Sequence, residues 1–136
     1  MSDSDNDPKK IQVCILVVDD DEMTRRFLSH ILAQQNYEVE TAVDGTEALQ
    51  KALQKRYSLI LLDIEMPGSD GLEVLRKIRE KYDKYQLPVI MVTANDRSTE
   101  IVLALDLGAS DYVTKPLDVP VLFARMRAHI ATSRGE

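Results

Sequence analysis

Four stretches of the sequence place chemically useful residues directly after apolar runs. The acids Asp19-Asp20-Asp21-Glu22 follow Ile15-Leu16-Val17-Val18, a solitary Asp63 follows Leu59-Ile60-Leu61-Leu62, Thr93 closes Val89-Ile90-Met91-Val92, and Lys115 follows Tyr112-Val113-Thr114. Carboxylates brought within a few ångströms repel each other unless protons or a cation intervene. A hard divalent ion answers that need: Mg²⁺ takes oxygen ligands in octahedral geometry and keeps several waters, so two or three carboxylates and a main-chain carbonyl satisfy it. With phosphoryl oxygens in the open positions, one carboxylate can attack phosphorus and form an acyl phosphate. Asp63, central and alone, is the candidate nucleophile. The Lys115 ammonium would neutralise charge on the equatorial phosphoryl oxygens, and the Thr93 hydroxyl would donate to another of them.

Each residue also has a plain structural reading. An acidic run can be a solvated loop that caps the next helix, a lone Asp a polar strand end, Thr93 an ordinary strand residue and Lys115 a surface lysine. The chemical reading requires the four stretches to meet, which depends on the elements that carry them.

From Ile11 onward, short apolar runs rich in branched residues alternate with segments whose apolar residues recur at helical spacing, the pattern of repeated strand–helix units. Strands are expected over Ile11–Val18, around Tyr37–Ala42, and over Leu59–Leu62, Val89–Thr93 and Asp111–Thr114. Met23, Phe27 and Ile31, backed by Leu28 and Leu32, predict a continuous buried face on the first helix. Asp44 and Glu47 predict a capping box ahead of the stripe Ala48, Leu49, Ala52 and Leu53. After a loop at Pro67-Gly68-Ser69-Asp70-Gly71, the third helix turns Leu72, Leu75, Ile78 and Tyr82 inward. The fourth helix, from about Arg97 to Leu107, ends at Gly108, suited to a left-handed stop. The last starts at Asp118 with Pro120 in its first turn and buries Leu122, Met126 and Ile130.

Continuously apolar strands imply a sheet covered on both faces. The expected fold is therefore α/β: a five-stranded parallel sheet of order 2-1-3-4-5, doubly wound as a flavodoxin-like (βα)5 unit with right-handed crossovers, in one three-layer domain. In such a sheet the reactive crevice lies beyond the carboxyl ends of the strands, and the four chemical stretches fall there.

A chain of 136 residues suits one domain, with a flexible lead over 1–10, a folded unit over 11–132 and a tail over 133–136. The 44% hydrophobic and 29% charged content predicts an ordinary globular core. No apolar stretch approaches the ~20 residues of a membrane helix. The polar N-terminus lacks a signal peptide's apolar segment, so a cytoplasmic protein without a membrane partner is expected. The net charge of −6 disfavours a nucleic-acid surface, and Arg125 and Arg127 read as the solvated last turns of a helix. Cys14 has no disulfide partner and reads as an inert buried thiol. His30 and His129 stand far apart without a local motif.

The run from Ile15 to Asp21, the stretch LILLDIEMPGSDG from Leu59 to Gly71, VTA from Val92 and GASDYVTKP from Gly108 resemble response-regulator receiver domains of two-component signalling, over nearly all of residues 11–132. That resemblance implies Asp19 and Asp20 as the acidic pair, with Asp20 the direct metal ligand, and Asp63 as phosphoacceptor and ligand. It further implies Glu65 as the donor of a main-chain carbonyl to the metal, Thr93 as switch hydroxyl, Tyr112 as switch aromatic and Lys115 as the site lysine. Asp21 leaves the acidic run ambiguous by one place, although spacing from the strand favours Asp19 and Asp20. The family varies at the positions of Glu65 and Asn95, which should tune hydrolysis of the acyl phosphate.

The resemblance also implies a cofactor, Mg²⁺ with Mn²⁺ able to substitute, and a donor, a histidine kinase or phosphotransfer protein. It implies a regulatory phosphoacceptor rather than an enzyme in its own right. The output surface would be formed by the fourth helix, fifth strand and fifth helix, acting on an output domain, fused or separate, or on a second copy in a homodimer. A haloacid-dehalogenase-like phosphatase shares the aspartyl phosphate, Mg²⁺, hydroxyl and lysine. Its nucleophile, however, stands in an Asp-x-Asp motif near the N-terminus, whereas here Glu65 lies two after Asp63 on the third strand, and no cap domain is expected. A docking module working without phosphorylation would be expected if a site residue were missing, and none is. A dinucleotide-binding protein is disfavoured because the first turn is acidic where glycines are required.

Overall fold

The computed structural model describes residues 12–94 and 97–135. In chain order the elements are β1 (Cys14–Val18), α1 (Glu22–Gln34), β2 (Glu38–Ala42), α2 (Gly45–Gln54), β3 (Leu59–Asp63), β4 (Glu65–Met66), β5 (Ser69–Asp70), α3 (Gly71–Lys81), β6 (Val89–Thr93), α4 (Ser98–Asp106), β7 (Asp111–Thr114) and α5 (Val119–Ser133). Five strands form one parallel sheet of order β2-β1-β3-β6-β7. This is the expected 2-1-3-4-5 arrangement once the two-residue antiparallel hairpin β4–β5, which sits in the loop before α3, is set aside.

The three central strands are buried at every position because each sheet face has its own helical layer. Ile15, Val17, Leu59, Leu61, Ile90 and Val92 point to the side where α1 and α5 supply Leu28, Leu32, Leu122, Met126 and Ile130. The alternate positions, Leu16, Val18, Ile60, Leu62, Val89 and Met91, face α2, α3 and α4 through Ala48, Ala52, Val74, Leu75, Ile78 and Ala104. A period of two that is apolar in both phases is what a strand between two layers requires. The edge strand β2 instead carries Glu38 and Glu40, charges that discourage further pairing.

Four helices begin at an aspartate whose side chain accepts a main-chain N–H of the first turn: Asp21, Asp44, Asp70 and Asp118. In α2, Asp44 takes the N–H of Glu47 at 2.9 Å while Glu47 reaches back to the N–H of Val43 at 2.7 Å, one residue before the cap. The exception is α4, which starts at Arg97 without a side-chain cap. Gly108 follows α4 with φ of 104°, as expected of a left-handed stop. The last turns of α3 and α4 are tied together by Arg79, which donates to the main-chain oxygens of Gly108 at 2.7 Å, Leu87 at 2.8 Å and Tyr82 at 3.2 Å.

The first helix departs from expectation. Its buried residues are Leu28 and Leu32, whereas Met23 is 74% and Phe27 50% exposed. These two side chains instead border the Pro116-Leu117 loop. Leu53, expected on the α2 stripe, is likewise exposed, and Leu72 and Tyr82 are only partly buried. The lead over residues 1–10, Ile11 and Asn95 lie outside the described residues. Among the described residues no helix is long and apolar enough to cross a membrane.

Candidate functional site

Ladder hydrogen bonds carry the four chemical stretches to one edge of the sheet. The N–H of Asp19 extends the β1–β2 ladder by donating to Ala42 at 3.1 Å. Asp63 closes β3 opposite Val92, Thr93 closes β6 opposite Thr114, and the N–H of Lys115 donates to the oxygen of Thr93 at 2.8 Å. Parallel register thus aligns the carboxyl ends of β1, β3, β6 and β7, and burial follows: Asp19, Asp63 and Thr93 are the buried polar residues among those described.

Lys115 bridges the two buried acids, with Nζ 3.0 Å from Asp19 Oδ2 and 3.6 Å from Asp63 Oδ2. Each acid has its second oxygen met by the main chain, Asp19 Oδ1 by the N–H of Asp21 at 2.9 Å and Asp63 Oδ1 by the N–H of Glu65 at 3.1 Å. Asp20 lies between them, exposed, and carboxylate oxygens of Asp19, Asp20 and Asp63 all lie within 4.8 Å of one another. Asp21 turns away, its carboxylate accepting the N–H of Thr24 at 3.1 Å and the Thr24 hydroxyl at 2.6 Å. Asp21 thus caps α1, while Asp19 and Asp20 are grouped with Asp63.

Three carboxylates against one ammonium leave an excess of negative charge that raises the energy of the ionised cluster. Burial, augmented by the charges of Asp19 and Asp20, pushes the Asp63 carboxyl up to about 6, against the opposing pull of Lys115 and the Glu65 N–H. For Lys115, burial favours the neutral amine. The hydrogen bond to Asp19 and the charges of Asp63 and Asp19 outweigh that and raise its pKa, so it stays cationic. An all-oxygen donor set with this charge excess fits a divalent cation such as Mg²⁺, and one partly exposed ligand leaves a way in.

The remaining expected residues fall around this centre. The Glu65 side chain is exposed in β4, and its main-chain N–H supports Asp63. Thr93 and Tyr112 sit on the sheet face covered by α4, Tyr112 opposite Met91 and partly buried against that core. The peptide between Lys115 and Pro116 is cis.

Two supporting residues escaped the sequence reading. Gly71 opens α3 so close to the end of β3 that a Cβ there would stand 2.4 Å from the main-chain oxygen of Asp63 and 2.6 Å from Ile64 Cα. The glycine at the end of the Pro67–Gly71 loop was its visible signal. Arg25 donates from Nη1 to the main-chain oxygen of Asp19 at 2.8 Å, a contact without any local pattern to announce it. His129, read as inert, meets Asp111 at 3.0 Å, and Arg125 meets the same carboxylate at 2.9 Å, away from the acidic cluster.

Comparison with known proteins points the same way. The family model of the response regulator receiver domain matches residues 15–127. The response regulator ArlR of Staphylococcus aureus is 44% identical over 114 residues, covering 84% of this chain and 51% of that protein. The chain therefore spans about half the length of the curated relatives it matches. A CheY-like receiver domain protein from Methanospirillum hungatei superposes with a TM-score of 0.86 at 30% identity, covering 92% of this chain and 98% of the other. The response regulator protein TrrA from Thermotoga maritima, solved in complex with Mg²⁺-BeF, gives 0.78 at 36% identity, covering 87% and 99%.

Proposed function

Because the chain belongs to the response regulator receiver family, we propose that Asp63 accepts a phosphoryl group from the phosphohistidine of a histidine kinase or phosphotransfer protein, in a Mg²⁺-dependent step that switches an output surface. The observation that carries this reading is the Lys115 bridge between two buried carboxylates, with a third in ligand range.

At neutral pH Asp63, with its pKa near 6, is largely ionised and can act as nucleophile. One of its oxygens forms the bond to phosphorus as the donor's P–N bond breaks, the departing imidazole keeping the electron pair. Asp19, Asp20, Asp63 and the main-chain carbonyl of Glu65 would hold Mg²⁺, which when bound supplies charge cancellation between the carboxylates and the phosphoryl oxygens. Lys115, already within 3.6 Å of Asp63, follows the new negative charge as a movable point charge. The Thr93 hydroxyl donates to a further oxygen. Positioning and charge cancellation account for most of the work in such a transfer.

A donor protein has a seat beside the site. Met23, Phe27, Pro116 and Leu117 line an apolar groove that reaches Lys115, a surface a small phosphoryl donor would not need. On the output side, α4 is the least anchored helix: it lacks a side-chain cap, buries only Ala104 fully, and exposes Val102, Leu103 and Leu105. Movement of Thr93 toward the phosphoryl group would free Tyr112 to turn inward along the face it shares with α4. The α4–β7–α5 surface would then change its preference for an output domain or a second copy. A differential interaction of ~1.4 kcal/mol shifts such an equilibrium tenfold, within the reach of one or two charge-assisted hydrogen bonds.

The test is intact-mass analysis after incubation with phosphoramidate, with and without Mg²⁺, on wild type and Asp63→Asn. A single metal-dependent phosphoryl adduct, absent from the variant, is expected. Equal labelling of the variant would remove Asp63 as acceptor.

A further inference from the structure

Arg25 sits in the second turn of α1, beside four consecutive acids, and pairs with none of them: among the described residues it forms no ion pair. Its neighbour Arg26 does, with Glu22 at 3.6 Å. The guanidinium of Arg25 turns instead to the main-chain oxygen of Asp19, at 2.8 Å and partly buried. That oxygen belongs to the peptide joining Asp19 to Asp20, so fixing it fixes the plane from which the Asp20 side chain departs. The Asp20 side chain is exposed and makes no hydrogen bond or ion pair with the described residues, so its aim depends on the two peptides that flank it. The flanking groups are held, Asp19 by the Asp21 N–H and Lys115, and Asp21 by Thr24. The Asp20–Asp21 peptide is held through its N–H on Asp19 Oδ1, and Arg25 holds the peptide on the other side of Asp20.

We propose that Arg25 is a positioning residue for the divalent cation, holding the Asp19–Asp20 peptide so that the Asp20 carboxylate points into the cluster. This rests on the metal site proposed above and adds to it the residue that organises the exposed ligand. Groups that orient a metal's ligands from outside the coordination sphere typically alter affinity by roughly ten- to a hundredfold when removed.

The sign of the effect separates positioning from charge. Removing a cation beside a dication's site strengthens metal binding if only Coulomb repulsion is lost. It weakens binding if a ligand loses its aim. Titration calorimetry of MgCl₂ into the full chain, for wild type, Arg25→Met, Arg25→Lys and Arg26→Met, reads this directly. Arg25→Met is expected to raise the Mg²⁺ dissociation constant about tenfold, and Arg25→Lys, which keeps charge and a donor, to recover part of the loss. Arg26→Met, removing the same charge without touching the turn, should match wild type or bind slightly more tightly. Circular dichroism checks the fold, and Arg25→Gln repeats the measurement if the methionine variant does not fold. Unchanged or tighter binding in Arg25→Met or Arg25→Gln overturns the assignment while leaving the metal site standing. A wild-type chain that takes up no Mg²⁺ overturns the site and this inference together.

Discussion

Replacing Asp63 by asparagine should make the metal-free protein more stable, although it removes the proposed phosphoacceptor. Asp63 is 5% exposed and its pKa rises from 3.8 to about 6 in the folded chain, chiefly through burial, with the charges of Asp19 and Asp20 adding to it and that of Lys115 opposing it. A shift of that size corresponds to about 3 kcal/mol between the protonated and ionised forms. The folded state binds this proton more tightly than the unfolded state, so the contribution of Asp63 is most favourable at low pH. It is lost as pH rises from about 4 through 6. Asparagine keeps the shape and can still accept the Glu65 N–H, while Lys115 keeps its 3.0 Å partner in Asp19.

The advantage of Asp63→Asn over wild type in EDTA is therefore expected to grow with pH, from about 1.6 kcal/mol at pH 5 to about 3 kcal/mol at pH 8. Urea denaturation at the two pH values measures it, and near pH 8 the thermal midpoint should rise by about 10 °C. Adding Mg²⁺ should narrow the gap by stabilising wild type selectively, because a ligand that binds only the folded form adds to its stability. An asparagine variant no more stable than wild type at pH 8, or an advantage that does not shrink at pH 5, would refute the picture of a carboxylate held ionised against its surroundings.

Three further outcomes follow from the packing around the site. Arg79→Met leaves the main-chain oxygens of Gly108, Leu87 and Tyr82 without their donor and should cost about 3 kcal/mol or more in chemical denaturation. Gly71→Ala sets a methyl group against main-chain atoms that cannot yield. Both the stability and the rate of phosphoryl labelling of Asp63 should fall, by about 2 kcal/mol or more in stability. Phe27→Ala, at a half-exposed position, should change stability by less than about 1 kcal/mol. It should slow transfer from a phosphohistidine protein about tenfold, as truncation of an interface anchor does, while acetyl phosphate labels it as fast as wild type.

What the sequence disclosed and what it concealed divide along a physical line. Strands β1, β3 and β6 were legible because burial on both faces leaves no polar position before their carboxyl ends. The caps Asp44 and Asp118 were legible because an acceptor ahead of an apolar stripe has one common use. The convergence of Asp19, Asp63, Thr93 and Lys115 followed from topology, since parallel strands joined by helices bring their carboxyl ends to one edge whatever the loops do. Periodicity misled at Met23 and Phe27 because it reports which residues share a face and not whether anything lies opposite that face. Nothing in the local pattern announces the role of Arg79. Arg79 lies in an amphipathic helix where a cation reads as solvated, yet its partner Gly108 is 29 residues away, and its burial, against the opposing charge of Asp83, lowers its pKa to about 10.

Asp20 and Asp21 illustrate the finest division. Two identical side chains, adjacent in the chain, have opposite employment because Asp21 finds two donors on Thr24 within its own helix and Asp20 finds none. A local donor takes up a carboxylate that would otherwise be free for a cation. The residue left over by the local bonding, beside a carbonyl that the Arg25 guanidinium holds, is the proposed exposed ligand. Replacing Thr24 by valine removes one of those two donors, and the contest between capping and metal binding then turns on the Thr24 N–H alone.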